Sequence, residues 1–306
     1  MPVGNYEDVV QRVLQYWDRL GRPNLGTFIQ GSVARLGYVA PGADLDLCVI
    51  TPIAAPADWF EEGEYDELVI EIYPLALQEC HDVQAVLSSP ALPFAICDGI
   101  VVHDPRSLLA GLKARLSPRL CDPHYRRARA QECYERGQEA YKRARIALAR
   151  NDLAMARVAL VQGLWHITGI PSAAECESPT MRRAFVRLEA FARRRARPDL
   201  VERAKTALAA DAPTAAQART LVEYAAAIKP RYRHTISPMV EAGEAWQSAW
   251  PLLCAAVLSP SGARPDPVAR DRILRALGAH SPSHMAERLL AAEMLAVELW
   301  GVARHL

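Results

Sequence analysis

Two aspartates, Asp44 and Asp46, stand inside the apolar run ADLDLCVI at residues 43–50. Successive side chains of a β-strand point to opposite faces, so Leu45 and Leu47 would lie on one face and both carboxylates on the other. Aspartate is uncommon in strands, and two like charges on one face repel unless a cation or several donors lie between them. The pair therefore predicts a site for a hard divalent cation, Mg²⁺ or Mn²⁺, which prefers oxygen ligands and is usually shared with substrate phosphates.

A third carboxylate, Glu71, stands between two isoleucines in the run ELVIEIY at residues 67–73. If this strand neighbours the first one, Glu71 completes a three-carboxylate cluster with Asp44 and Asp46. The alternative is a solvated position that faces outward on an edge strand.

Upstream of the aspartates, Gly31 and Ser32 end a strand-like run and begin a tight turn toward Arg35. Glycine lets a backbone approach a ligand closely, and the amides and the Ser hydroxyl of a strand-to-helix turn are donors for phosphate oxygens. Phosphate donors beside a metal site indicate a nucleoside triphosphate (NTP) as substrate. Arg35, one turn further on, either reaches the same phosphates or faces solvent.

The elements that position these residues are predicted to belong to two domains of different structure. The periodicity predicts a first helix capped by Asn5, then strands among helices, and after residue 118 only helices separated by Pro and Gly. The predicted fold class is α+β, with a mixed-sheet domain at residues 1–118 and an all-α domain at 119–306. The strand predictions are the runs LGTFIQ from Leu25, ADLDLCVI from Ala43, ELVIEIY from Glu67 and FAICDGIVVH from Phe94; the helix predictions include Ala76–Ser88, a helix with Asp104 as N-cap, one opening at Asp122–Pro123, one opening at Ser178–Pro179, one after Pro213, and a last one from about Ser283.

The charge of the chain is distributed unevenly. The formal net charge is +1, but residues 1–100 hold 15 Asp and Glu against four Arg, a balance of −11, so the remainder carries +12. An acidic half suits a divalent-metal site, and a basic half suits an anionic partner or simply solvated helix faces.

Composition limits the compartment and the partners. The 51% hydrophobic content is that of a folded protein, the N-terminal residues do not resemble a secretory signal, and no apolar stretch is expected to span a bilayer. The seven cysteines are scattered, which argues against a disulfide framework and for a reducing, cytoplasmic location. The helical residues Trp246, Trp250 and Trp300 are interpreted as core or homodimer contacts rather than a stacking platform.

These motifs together resemble a known family. Gly31-Ser32-x-Ala34-Arg35, then Asp44-x-Asp46, then a hydrophobic strand with Glu71, look like the nucleotidyltransferase superfamily, which is DNA polymerase beta-like, and within it the aminoglycoside and minimal nucleotidyltransferases. The resemblance covers residues 5 to 116, and a helical C-terminal domain is what antibiotic-modifying members append. Two departures, Ala43 where the family often has Ser and a turn about one residue longer, remove no metal ligand.

The resemblance implies a mechanism and a role for each residue. Asp44 and Asp46 would hold Mg²⁺ or Mn²⁺, and Gly31 and Ser32 would hold the phosphates of the NTP, most simply ATP. Glu71 resembles the third carboxylate of the family, which serves as metal ligand, general base or both.

The identity of the acceptor stays open at this point. The leading hypothesis is transfer of a nucleoside monophosphate (NMP), foremost AMP, to a hydroxyl of a small molecule such as an aminoglycoside-like antibiotic. The alternative is an RNA or protein acceptor of the toxin–antitoxin type, for which the basic half would track phosphates. A third reading is an inactive scaffold.

Overall fold

The structure is a computed structural model that describes residues 6–36, 44–55, 61–65, 68–179, 184–208 and 281–305, together with residues 219, 222, 223, 226, 237, 240 and 241. The chain divides into two compact units, residues 1–125 (unit 1) and residues 126–306 (unit 2). Each unit is described by itself below.

Unit 1 is built on one five-stranded mixed sheet with the strand order β3-β4-β2-β1-β5. Strands β2 and β4 are parallel, and every other neighbouring pair is antiparallel. The strands are β1 (Gly26–Gln30), β2 (Asp44–Thr51), β3 (Glu61–Tyr65), β4 (Leu68–Ala76) and β5 (Ile100–His103). Together with the helices of both units, this sheet gives the mixed α+β class expected from the sequence.

The helices of unit 1 cover both faces of this sheet. Helix α1 packs on one face through Trp17, which is 3% exposed and lies in a cluster with Ile29, Leu45, Leu47 and Ile70. The opposite face carries a second apolar cluster that includes residues of the later helices. The helices are α1 (Tyr6–Leu20), α2 (Gly31–Leu36), α3 (Leu77–His81), α4 (Val83–Ser88), α5 (Leu92–Asp98) and α6 (Leu108–Leu116), followed by a short 3₁₀ turn at Ser117–Arg119.

Three predictions for unit 1 need correction. The single helix predicted at 76–88 is two helices, because Asp82 ends α3 and its carboxylate accepts hydrogen bonds from the first amides of α4. The run from Phe94 begins as helix α5 and becomes a strand only at Ile100, since a short apolar run fits either structure. Asp104 does not cap α6 directly; the helix begins at Leu108, and Asp104 accepts from the amide of Ala110.

Unit 2 is helical throughout its described residues. The predicted helix at Asp122–Pro123 is observed from Pro123, and the last helix begins at Pro282, close to the predicted start. Residues 180–183 and most of the region after Pro213 lie outside the described residues, so the predicted starts there are not described. The helices are α7 (Pro123–Ala149), α8 (Leu153–Ile167), α9 (Gly169–Glu175), α10 (Ala184–Arg194), α11 (Asp199–Leu208) and α12 (Pro282–Ala303).

One large apolar cluster joins these helices. It contains Leu164, Phe185, Phe191 and Leu295, each at most 1% exposed, and Trp300 packs against it while stacking on Tyr134 with 5.6 Å between ring centroids. Trp300 is therefore a core contact, whereas Trp246 and Trp250 lie outside the described residues.

Helices α8 and α9 form an unusually apolar stretch. By its length and composition, Leu153–Glu175 could cross a membrane. This apolar stretch is longer than any that the sequence led us to expect. However, 67% of its most apolar part is buried inside the protein. Such burial is typical of core helices, which pass the same test of length and composition.

The cysteines depart in part from expectation. Cys48, Cys80, Cys97 and Cys133 are free thiols, but Cys121 and Cys176 are each disulfide-bonded. The sequence argued against a disulfide framework, and these two residues depart from that expectation. The cytoplasmic location stays a prediction.

Candidate metal site

Strands β2 and β4 bring three carboxylates together. The two strands are parallel neighbours, and Asp46 lies directly opposite Glu71 in their register. Asp44 lies two residues before Asp46 and therefore on the same face. One carboxylate oxygen from each of the three residues lies within 4.8 Å of the other two. The neighbouring-strand condition that the sequence left open for Glu71 is thus met, and Glu71 does not lie on an edge strand.

The face that carries the carboxylates changes character along its length. Beyond Asp46 on the same face of β2 come Cys48 and Ile50, and beyond Glu71 on β4 comes Leu75; all three are buried in the second apolar cluster of unit 1. The apolar half anchors the two strands against helices, and the charged half lies at their N-terminal ends. The carboxylates are held in place by strands whose register the core fixes.

At Gly31 the backbone approaches the carboxylate of Asp46 closely. A Cβ on residue 31 would lie 2.0 Å from Oδ2 of Asp46, and the residue has a φ of +75°, which side-chain-bearing residues rarely adopt. The carboxylate of Asp46 therefore occupies the space that a side chain at residue 31 would fill. Only glycine permits both the turn from β1 into α2 and this position of Asp46.

Tyr73 is a member of the site that was not singled out from the sequence. It lies two residues after Glu71 on β4, on the same face, and its hydroxyl donates a hydrogen bond to Oε2 of Glu71. Glu71 itself is 8% exposed, and Tyr73 is half-buried. Burial, then the hydrogen bond to Glu71 and the negative charge of the three carboxylates, raises the pKa of the Tyr73 phenol well above its ordinary value. The period-2 pattern of the strand was the signal that could have identified it.

The arrangement fits a divalent cation by donor type, charge and spacing. Mg²⁺ takes hard oxygen ligands in an octahedron of about 2.1 Å radius, so two ligands on opposite sides of one ion are about 4.2 Å apart. The carboxylate oxygens of Asp44, Asp46 and Glu71 lie within 4.8 Å of one another, which is compatible with this spacing. Three like charges this close repel each other, and a divalent cation between them would relieve that repulsion.

Ser32 and Arg35 are connected to the site by their position in the chain, shortly after Gly31, and not by a side-chain contact among the described residues. Both lie on the short helix α2 that begins at Gly31, Ser32 half-exposed in its first turn and Arg35 exposed in its last. Within the described part of the chain, no hydrogen bond or ion pair joins either side chain to the three carboxylates. Of the predicted site residues, the structure thus brings together Gly31, Asp44, Asp46 and Glu71.

Two surface pockets lie apart from the carboxylates. One, of about 470 Å³, is polar and lies in unit 1 between His81–Gln84 and the side chains of Arg115 and Arg119. The other, of about 330 Å³, lies in unit 2 between α11 and α12. Neither is lined by the three carboxylates, so the chemistry of the side chains rather than the size of a pocket identifies the candidate site.

Comparisons with known proteins add little. No protein-family model and no curated protein matches the chain. Among solved structures, it is similar to a nucleotidyltransferase-like protein from Exiguobacterium sibiricum, with a TM-score of 0.35 and 14% sequence identity over 67% of this chain and 69% of that chain. A similarity this distant establishes neither a shared activity nor a shared substrate.

Proposed function

We propose that the chain is a metal-dependent nucleotidyltransferase that transfers an NMP, foremost AMP from ATP, to a hydroxyl group of a small molecule. The observation that carries the proposal is the convergence of Asp44, Asp46 and Glu71 on one face of two parallel strands, with their oxygens within 4.8 Å. Carboxylates gathered in this way serve a divalent cation, and the backbone turn at Gly31 lies directly against the carboxylate of Asp46.

Each residue has a role in this proposal. Asp44 and Asp46 hold Mg²⁺ or Mn²⁺, which when bound supplies positive charge against the reacting phosphates. Glu71 either joins them as a ligand or accepts the proton of the attacking hydroxyl. The turn at Gly31 and Ser32 offers backbone and hydroxyl donors to the NTP phosphates. Arg35, on the short helix that begins at Gly31, offers the phosphates a positive charge in addition to that of the metal ion.

The pairing of basic side chains favours a small acceptor over RNA. Among the described residues of unit 2, eight basic side chains form ion pairs with acidic residues of the same unit, and two further arginines, Arg129 and Arg157, are fully buried. A surface that tracks a phosphate backbone presents its basic groups to the nucleic acid instead. The acidic balance of residues 1–100 suits a cationic acceptor such as an aminoglycoside-like antibiotic. The eight paired residues are Arg136, Lys142, Arg145, Arg187, Arg194, Arg197, Arg203 and Lys205.

The test is nucleotidyl transfer from labelled NTPs. The purified chain is incubated with each NTP labelled in its α-phosphate, with Mg²⁺ or Mn²⁺, and with panels of aminoglycosides, other hydroxylated small molecules, RNA and protein. We expect label to move to a small molecule, and we expect the Asp44→Asn/Asp46→Asn double variant to lose this transfer completely because two metal ligands are gone.

Two controls make the result specific. EDTA should abolish transfer by the wild type, and without metal the melting temperature of the double variant should be equal to or slightly above that of the wild type. Undiminished transfer by a folded double variant would overturn the assignment, and label found only on RNA or protein would replace the small acceptor by a macromolecular one.

A further inference from the structure

The hydroxyl of Tyr73 is directed at a single oxygen of the candidate metal site. Glu71 has two carboxylate oxygens, and Tyr73 donates its hydrogen bond to Oε2. Both residues lie on β4 two positions apart, and the register of β4 with β2 holds this strand in place. The contact is therefore built into the sheet rather than into a loop.

This contact restricts what Glu71 can offer to a cation. A carboxylate can bind a metal through one oxygen or through both. A phenol is protonated at neutral pH, so Tyr73 is a donor to Oε2 and competes there with any metal. A hydrogen bond held at Oε2 therefore favours Oε1 as the oxygen that Glu71 directs at a cation or at an acceptor proton.

We propose that Tyr73 is a positioning residue that fixes the Glu71 carboxylate so that it presents one oxygen to the metal ion. The proposal rests on the metal site of the proposed function but not on nucleotidyl transfer. It predicts a preference as well as an affinity. Mg²⁺ and Mn²⁺ favour octahedral sites with single oxygens from each carboxylate, whereas Ca²⁺ readily accepts both oxygens of one carboxylate in a larger shell. Tyr73 thus favours the smaller ions over Ca²⁺.

The test is metal binding by Tyr73→Phe, which removes the hydroxyl and keeps the ring. Mn²⁺ affinity is measured from the electron paramagnetic resonance signal of free Mn²⁺, and Ca²⁺ affinity by competition with Mn²⁺. We expect Mn²⁺ affinity to fall by roughly 10- to 100-fold, as when the hydrogen-bond partner of a metal ligand is lost. Ca²⁺ affinity should fall less, because the freed Oε2 allows Glu71 to bind through both oxygens.

Tyr125→Phe is the matched control. Tyr125 is a buried tyrosine of the same unit, and its hydroxyl accepts a hydrogen bond from Arg119. Its loss should leave both metal affinities unchanged. If Tyr73→Phe also leaves them unchanged, or lowers the affinities for Mn²⁺ and Ca²⁺ equally, the positioning role is overturned.

A double-mutant cycle separates positioning from direct ligation. In the Glu71→Gln background, adding Tyr73→Phe should cause no further loss of Mn²⁺ affinity, because Tyr73 acts through the Glu71 carboxylate. A further loss there would show that Tyr73 binds the metal itself and would overturn the proposal. The same comparison tests the positioning role if the single variant Tyr73→Phe is unstable. In the Glu71→Gln background the side chain at position 71 is uncharged and is not repelled by the two aspartates.

The outcomes distinguish this inference from the proposed function. No Mn²⁺ binding by the wild type would overturn both. Mn²⁺ binding that Asp46→Asn abolishes and Tyr73→Phe leaves intact would overturn the positioning role alone. The expected loss of Mn²⁺ affinity in Tyr73→Phe, in a protein that transfers no NMP, would support the positioning role and overturn nucleotidyl transfer.

Discussion

The two units surround their charged side chains in opposite ways. In unit 2, Arg157 is fully buried and donates to the backbone oxygens of Ala207 and Leu208, at 3.1 and 2.5 Å, at the end of α11. A backbone carbonyl oxygen carries partial negative charge, so the guanidinium and these two carbonyls compensate each other. In unit 1, the charges that meet are the like charges of the carboxylate cluster, Asp44, Asp46 and Glu71.

This difference bears on how a functional site is recognised. A buried charge that meets opposite charge contributes to the stability of the fold and needs no ligand. Three gathered charges of one sign repel each other, and a bound divalent cation relieves that repulsion. The sign of the neighbouring charges, rather than burial alone, therefore distinguishes the candidate site of unit 1 from the structural arginine of unit 2.

The largest stability effect is expected at Arg157. Arg157→Met keeps most of the side-chain volume but leaves the two buried carbonyls without these donors, at a cost of about 2–4 kcal/mol in the free energy of unfolding. Chemical denaturation measures it. The control Arg136→Met removes an exposed pair with Glu132 on α7 and should change stability by less than about 0.5 kcal/mol. Neither variant should change the affinity for Mn²⁺. A loss of metal binding in folded Arg157→Met would contradict the distinction between a structural arginine in unit 2 and a metal-binding cluster in unit 1.

A smaller effect on stability, with a large one on metal binding, is expected at Gly31. In Gly31→Ala the new Cβ displaces the Asp46 carboxylate, and the positive φ becomes unfavourable, which costs about 1–2 kcal/mol of stability. We expect Mn²⁺ affinity to fall at least about tenfold, because Asp46 leaves the cluster.

Gly21→Ala provides the matched control for Gly31→Ala. Gly21 has a similar φ of +57°, but no atom lies within 4 Å of its Cβ position. It should show the conformational cost without the metal effect. Equal Mn²⁺ affinity in the two variants would mean that the space at Gly31 does not matter for the carboxylate cluster.

The sequence predicted the parts of the site that follow from local alternation. One face of β2 has to be apolar because Leu45 and Leu47 are fully buried, and this places Asp44 and Asp46 together on the other face. Gly31 was identified as a close-approach position from its place at a strand-to-helix turn. The partner it approaches, the carboxylate of Asp46, could not be read from the sequence.

The parts of the site that depend on strand pairing could be predicted only on the condition that particular strands are neighbours. Alternation fixes the face of Glu71 but not which strand lies beside it, because pairing of β2 with β4 is a long-range contact. The same limit applies to Tyr73: its face followed from the alternation, but its hydrogen bond to Glu71 depends on side-chain conformations within the assembled sheet. Ser32 and Arg35 were expected at the phosphates by their place in the motif, and this role stays a prediction.

The smallest expected effect on stability, that of Asp46→Asn without divalent cations, tests the repulsion itself, and its sign should reverse when Mg²⁺ binds. Without divalent cations, Asp46→Asn removes one of three neighbouring like charges and should raise the free energy of unfolding by about 0.2–1 kcal/mol. With Mg²⁺ at about 100 times its dissociation constant, the wild type gains about 2.7 kcal/mol from binding to the folded state, a gain the variant largely lacks, so the order of stabilities reverses.

Asp98→Asn, at an exposed aspartate of the same unit, serves as the control and should show no dependence on Mg²⁺. Thermal unfolding in EDTA and in Mg²⁺ measures all three proteins. If Asp46→Asn were less stable than the wild type in EDTA, the carboxylates would already be compensated by the protein, as Arg157 is, and the contrast between the two units would fail.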